Sequence, residues 1–374
     1  MSKPCLRSQK QAALSRRDFL RLAGAGAAAL LMQGCQKATP ATTPTVVPPA
    51  GPISSRVAIG QASSYEQTAI REKVRQLIDD LGGLGDIVKA GDSVAIKTNL
   101  TGGVNSGKLA GLAPIDSFVT HPEIVRGLIE AAQAAGAGEI FIVEAVYEWA
   151  SYRQWGYEEI AEATGATLID LNDVKPYKDF REDSVGAGSF VYDRFIFNPI
   201  INDVDVFMSV SKMKNHYLAG VTHTMKNLYG LVPYREYRLN GTDQYRSEFH
   251  GVGDETRSRL PRIIADLNRA RPIDFSLVDG VRTTEGGEGP WIQGLSAIEP
   301  GVLVAGKNAV ATDAVATALM GHDPTGDYPE APYLRCDNHL NIAAALGLGT
   351  NRLEEIEVVG PALDSLKKAF TPAW

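Results

Sequence analysis

The chain has 374 residues, 44% of them hydrophobic and 22% charged, with a formal net charge of −7. That is globular composition, long enough for one large α/β domain or two smaller ones, and too acidic for a general nucleic-acid partner. Of its three cysteines only Cys336 falls in the part expected to fold, which excludes a disulfide there and an iron–sulfur cluster held by several thiolates.

Residues 1–34 read as an export signal. Ser15-Arg16-Arg17-Asp18-Phe19-Leu20-Arg21 is a twin-arginine motif, followed by the small-residue apolar run Leu22 to Met32. That run is shorter than the about 20 residues of a membrane-spanning helix. Gly34-Cys35 resembles a lipoprotein processing site, so a lipid on Cys35 is expected. Residues 35–55, rich in Thr, Pro and Ala, form an extended tether. The expected location is the periplasm or the outer face of the cell membrane. The twin-arginine (Tat) translocase is then a partner during export, and the lipid is the only membrane contact. Six basic residues and one acid precede Cys35, so the remainder carries a charge near −12. Twin-arginine export carries folded proteins, often with a cofactor already loaded.

Residues 56–374 read as one α/β domain. Arg56–Gly60 is a strand, and Tyr65 to Leu81 has helical apolar spacing, stopped by Gly82-Gly83. Ser93–Lys97 is a second strand. The Gly-rich loop Thr101–Lys108 after it is either a lid or a cradle of backbone N–H groups for an anion. Thr120-His121-Pro122-Glu123 has the spacing of a capping box, with Thr120 as the cap of a helix running to Gly136. Glu139–Glu144 is a strand, 158–164 a helix and 166–170 a strand. This alternation predicts an α/β fold with a mainly parallel sheet flanked by helices, in one body or in two lobes with a cleft.

Phe190–Phe197 reads as a strand or hairpin arm, and Val206–Val210 as a buried strand. An irregular Tyr/Arg-rich segment runs from Pro233 to Gly253. Then follow a helix over 255–269, the strand Phe275–Asp279, a second Gly-rich loop over 284–290, the strand Gly301–Gly306 and a helix over 309–320 with Asp313 in its first turn. A helix over 338–346 and a strand over 355–359 complete the chain.

Immediately after Val210 stand Lys212, Lys214, His216, His223, Lys226 and Asn227. Strand ends in open α/β sheets face the ligand crevice. Lys97, Asn99, Glu144, Asp279 and Asp313 are expected on the same rim. Lysines facing carboxylates in a cleft suit acid–base chemistry or anion binding. Lys97, Asn99, Lys212, Lys214, Asn227, Asp279 and Asp313 are the candidates to bind a substrate or nucleotide-like cofactor. His216, His223, His121 and Lys226 are the candidates for catalysis. A metal is the other option, held by His216, His223 and Glu144, with His250 or His121 to complete the set. His216 and His223 would share a face if their segment were helical, and a bend at Gly220 would be needed to bring them to one ion. There is no Gly-x-Ser-x-Gly motif, and Cys336 has no evident base partner.

Lys97-Thr-Asn99, Thr120–Glu123, the strand ending at Glu144, Ser211–Lys214 with His216, Gly220-Val-Thr222 with Met225–Gly230, Asp279-Gly280 and Asp313-Ala-Val together resemble the DUF362 family, over about residues 56–360. The resemblance implies an α/β fold and little biochemistry. A more distant similarity is to lactate-racemase-like enzymes, in which a His stands ten residues before the Lys that anchors a nickel-pincer nucleotide. Here His216 and Lys226 hold those places. This implies covalent cofactor attachment at Lys226, a base or ligand role for His216, and redox or isomerase chemistry by hydride transfer, with His121 as a second base. Two readings stay open: a cofactor- or metal-dependent enzyme acting on a small anionic substrate, and a non-catalytic solute-binding or cofactor-carrier lipoprotein.

Overall fold

The computed structural model describes residues 55–109, 111–241 and 246–374. The export motif, Cys35 and the tether up to residue 54 lie outside the described residues. No helix among the described residues is long and apolar enough to cross a membrane.

The strands in chain order are β1 (Ser55–Gln61), β2 (Ser93–Lys97), β3 (Glu139–Glu144), β4 (Thr167–Asp170), β5 (Arg181–Ser184), β6 (Arg194–Phe197), β7 (Val206–His216), β8 (Gly220–Val221), β9 (Phe275–Glu285), β10 (Ser296–Ile298), β11 (Val302–Gly306) and β12 (Ile356–Val359). All but the β5–β6 hairpin share one sheet, ordered β12-β1-β11-β9-β7-β2-β3-β4, with β10 on β9 and β8 on β7. The fold is α/β, and the run β9-β7-β2-β3-β4 is parallel throughout. Strands from both halves of the chain pair side by side, so the sheet is not divided into lobes.

Helices cover both faces because the central strands are apolar on both, as parallel strands must be. Met208 and Val210 of β7 pack with Val94, Ile96 and Leu277 under the helices Gln67–Asp80 and Pro122–Ala134. Phe207, on the opposite face, joins Ala95, Val143 and the helix Arg259–Ala270. A third cluster packs Val57, Val278 and Val304 against the helix Ala309–Leu319.

Three expectations are corrected. First, β7 and β9 are each 11 residues long, so Lys212, Lys214 and His216 lie on the strand and not in a loop after it. All 11 residues of β7 are buried. Second, β11 runs antiparallel to both β9 and β1, with Gly306 beside Ser276 at the start of β9. The helix carrying Asp313 therefore begins at the edge opposite the predicted rim. Third, His121 caps the helix Pro122–Ala134, its Nδ1 accepting from Glu123 N at 3.2 Å. Thr120 Oγ1 instead accepts from Asn99 N and donates to Val210 O, tying β2 to β7. Of the two geometries left open between His216 and His223, the chain takes the bend at Gly220 and not the helix. It turns through the β7–β8 hairpin at Gly220, whose φ of 73° and contact with the Tyr333 ring leave no room for a side chain.

Candidate anion-binding site

At the C-terminal edge of the parallel strands, period-two alternation turns an apolar face into a cationic one. Met208 and Val210 point into the core, and on the same face of β7 follow Lys212, Lys214 and His216. Lys212 stands in register with Asp279 of β9 and forms an ion pair with it at 2.8 Å. Tyr65 Oη donates to Asp279 at 2.8 Å, and His121 N donates to the same carboxylate. The His121 ring stacks on Tyr65 at 3.9 Å. Lys212 and Asp279 are fully buried in this cluster, beneath the half-buried Tyr65.

Beside it opens a pocket of about 650 Å³. Its cationic wall is Lys97, Lys214, Lys226 and Arg246, and its only carboxylates among the described residues are Glu144 and Glu288. Lys97, 1% exposed, pairs with Glu144 at 2.8 Å, and the other Glu144 oxygen accepts from Leu100 N at 2.9 Å. Asn227 fastens this pair to the sheet. Its Oδ1 accepts from Lys97 Nζ and Asn99 Nδ2, and its Nδ2 donates to Ser209 Oγ. Gly230 lies directly on the pair: a Cβ there would stand 2.7 Å from Lys97 Nζ and closer still to Glu144 Oε1. Only glycine permits that approach.

Burial depresses the Lys97 ammonium, against the pull of Glu144. Burial and neighbouring cations hold the Lys214 amine well below its usual range; its Nζ donates to Phe118 O at 2.6 Å. Lys226 is brought down to about 8, by burial first, while the Glu288 carboxylate opposes the shift. Its Nζ lies 4.6 Å over the Tyr229 ring, and the Arg246 guanidinium lies 5.4 Å from the same ring. Arg246 Nε donates to Val232 O, while its Nη2 is buried without a hydrogen-bond partner among the described residues. An orphaned guanidinium nitrogen in a pocket wall is what an absent anion would satisfy.

His216 lines the same pocket, and burial together with Lys226 keeps its imidazole neutral. Its Nδ1 accepts from Leu218 N at 3.1 Å, so the ring proton sits on Nε2. In this arrangement the remaining ring nitrogen of His216 is a donor and not a base. Serving as a base would require the Leu218 contact to break first.

The predicted residues thus fall into three groups. Lys97, Asn99, Glu144, Lys214, His216, Lys226 and Asn227 meet in the pocket. Lys212, Asp279 and His121 form the cluster next to it. His223 and Asp313 sit behind the pocket and do not line it. The neutral His223 ring contacts Met320 Sδ at 3.2 Å and Thr317 Oγ1, and its backbone carries a φ of 29° where the chain turns into the helix His223–Lys226. Asp313 accepts from Thr224 N at 2.9 Å, Thr224 Oγ1 at 2.6 Å and Met225 N at 2.8 Å, and so holds the turn that presents Lys226. Burial raises the Asp313 carboxyl to about 7 against those three bonds. Asp313→Asn is expected to lower stability by about 1–3 kcal/mol, seen as a lower Tm, because an amide must aim its own N–H at one of these donors.

The proposed metal set does not assemble. His223 contacts Met320 and Thr317 and does not line the pocket that Glu144 and His216 share, and no group of three His, Cys, Asp or Glu among the described residues is arranged to hold an ion. The Gly-rich loop after β2 reaches the pocket through Thr101, Gly102, Asn105 and Ser106, but the amide of Val104 is occupied by Glu148. The loop over 284–290 contributes Glu288, Pro290 and, just beyond, Trp291. Trp291 packs on Gly102 and joins the two loops. Sequence reasoning missed Arg246, Tyr147, Tyr217, Tyr229 and Trp291. The Tyr/Arg richness after Pro233 was the available signal for Arg246; the other four lie in segments whose periodicity says nothing about where they point.

A Synechocystis protein named Thylakoid-associated protein is 28% identical over 269 residues, 72% of this chain and 75% of that protein. A solved structure from Thermotoga maritima aligns with a TM-score of 0.32 at 11% identity, covering 67% of this chain and 57% of the other. Residues 94–318, which carry every pocket cation, match the family model described as domain of unknown function DUF362, and the chain belongs to the DUF362 family.

Proposed function

We propose that this chain is an exported, membrane-associated enzyme that binds a small anionic substrate or a nucleotide-like cofactor at the Lys97–Lys214–Lys226–Arg246 wall. The observation that carries this reading is a pocket that, among the described residues, sets four cationic side chains against two carboxylates in a chain of net charge −7, one of those cations having a buried nitrogen with no partner there. Local positive charge inside an acidic protein concentrates anions where the chain as a whole repels them. Membrane association rests on the twin-arginine and Gly34-Cys35 motifs and on the name of the Synechocystis relative.

Isothermal titration of the full chain with inorganic pyrophosphate and with a nucleoside diphosphate tests the pocket. Saturable binding is expected, weakened roughly 10- to 150-fold in Arg246→Met, since a charge-assisted contact contributes about 1.5–3 kcal/mol. Absence of binding by either anion would sink the reading. The carrier alternative is separated by His216→Ala. An enzyme loses turnover while keeping anion binding, whereas a carrier shows no turnover in either form. His216 and Lys226 lining one pocket is the feature that favours the racemase-like variant. Protein from the native envelope would then carry added mass on the Lys226 peptide together with nickel.

A further inference from the structure

Three of the four lysines gathered here are committed. Lys97 is paired with Glu144 and Lys212 with Asp279, each at 2.8 Å, and Lys214 donates to Phe118 O. Each is 1% exposed or less. Lys226 differs. It is half-buried, reaches the pocket, and has the Tyr229 ring as its neighbour, with no carboxylate at ion-pair distance among the described residues. Burial, Lys97 and Arg246 all disfavour its ammonium form and bring it to about 8. Desolvated lysines beside other cations are the ones that act as nucleophiles near neutral pH.

The surroundings supply what such an amine needs. Arg246 Nη2, without a hydrogen-bond partner among the described residues, can hold an anionic group, and the Nε2–H of His216 is the donor that the ring leaves after Nδ1 accepts from Leu218 N. Both residues line the pocket with Lys226.

We propose that Lys226 condenses with the carbonyl group of an anionic oxo compound, one bearing a carboxylate or a phosphate, to form an imine on Nζ. This rests on the anion-pocket reading above. The Nζ lone pair adds to the carbonyl carbon, and the C=O π pair moves to oxygen, which takes a proton. The carbinolamine then loses water as the C=N bond forms. Amine and carbonyl give imine and water, without redox change or co-reactant. His216 donates to the developing alkoxide, and Arg246 holds the anionic end.

The test treats the full chain with pyridoxal 5′-phosphate or glyoxylate in the presence of cyanoborohydride, followed by intact mass and peptide mapping. One adduct per chain is expected, on the Lys226 peptide, favoured about tenfold or more over any other lysine. Lys226→Met and Lys226→Arg should both lose it, the second keeping the positive charge that the fold experiences. Trapping by only one probe supports the proposal and assigns the anionic group as phosphate or carboxylate. Labelling spread over lysines and unchanged in Lys226→Arg overturns it. So does the absence of an adduct while pyridoxamine 5′-phosphate, the same anion without an aldehyde, still binds. Failure of pyridoxamine 5′-phosphate and pyrophosphate alike to bind would remove the anion pocket itself.

Discussion

Lys97→Met is expected to cost about 3–5 kcal/mol of folding stability, the usual consequence of leaving one member of a buried ion pair behind. The loss is read as a lowered urea midpoint or Tm. Among the described residues Glu144 would keep only the Leu100 amide as a partner, in a wall where Gly230 packs directly on the pair. Asn227 Oδ1 would lose one of its two donors. Glu144→Leu in the same background should restore part of the loss, because an apolar pair avoids the stranded charge. If the double variant is no more stable than Lys97→Met, the pair is not the source of the cost. A loss below about 1 kcal/mol would mean that Glu144 is solvated in the native state.

Anion affinity is expected to fall as pH rises through about 8, because Lys226 then gives up its charge. The direction follows from linkage: an anion that binds the ammonium form raises the Lys226 pKa in the complex. Between the free and bound values affinity drops by up to about tenfold per pH unit, and below the free value it is level. On folding the same depression acts in the opposite sense. The penalty of burying the ammonium is fully present below about pH 8 and is relieved as pH climbs towards the unfolded value of about 10.4. Titration calorimetry with pyrophosphate from pH 6 to 10 should show the step near 8 in the parent chain and none there in Lys226→Met. A step of equal size in the variant would assign the titration to another group.

Much of this was readable in the residues. The apolar runs at Ser93–Lys97, Glu139–Glu144 and Phe275–Asp279 alternate with amphipathic helices, and hydrophobic periodicity is a local property that survives without tertiary information. The same holds for the family motifs, which are short and contiguous. The ends of β7 and β9 were not legible. Lysine and histidine lower any local strand signal, and the strand persists because β9 pairs with it as far as Lys214, across a register shift after the Lys212–Asp279 pair, and β8 pairs with Asn215 and His216. The reversed direction of β11 was also hidden, since a short apolar strand reads the same either way.

An α/β chain of the DUF362 family, with a concentration of lysine, histidine and asparagine around residues 212–227, follows from the residues alone. Only the tertiary structure decided which of those groups share a cavity. Lys212, Asp279 and His121 are tied to one another outside the pocket lining, and Asp313 and His223 support the turn from behind. Lys97, the pair Lys214 and Lys226, and Arg246 converge from three separate stretches on one pocket. Convergence of that kind depends on strand register and on side-chain direction across the sheet, which are set by long-range pairing and carry no signature in the local sequence.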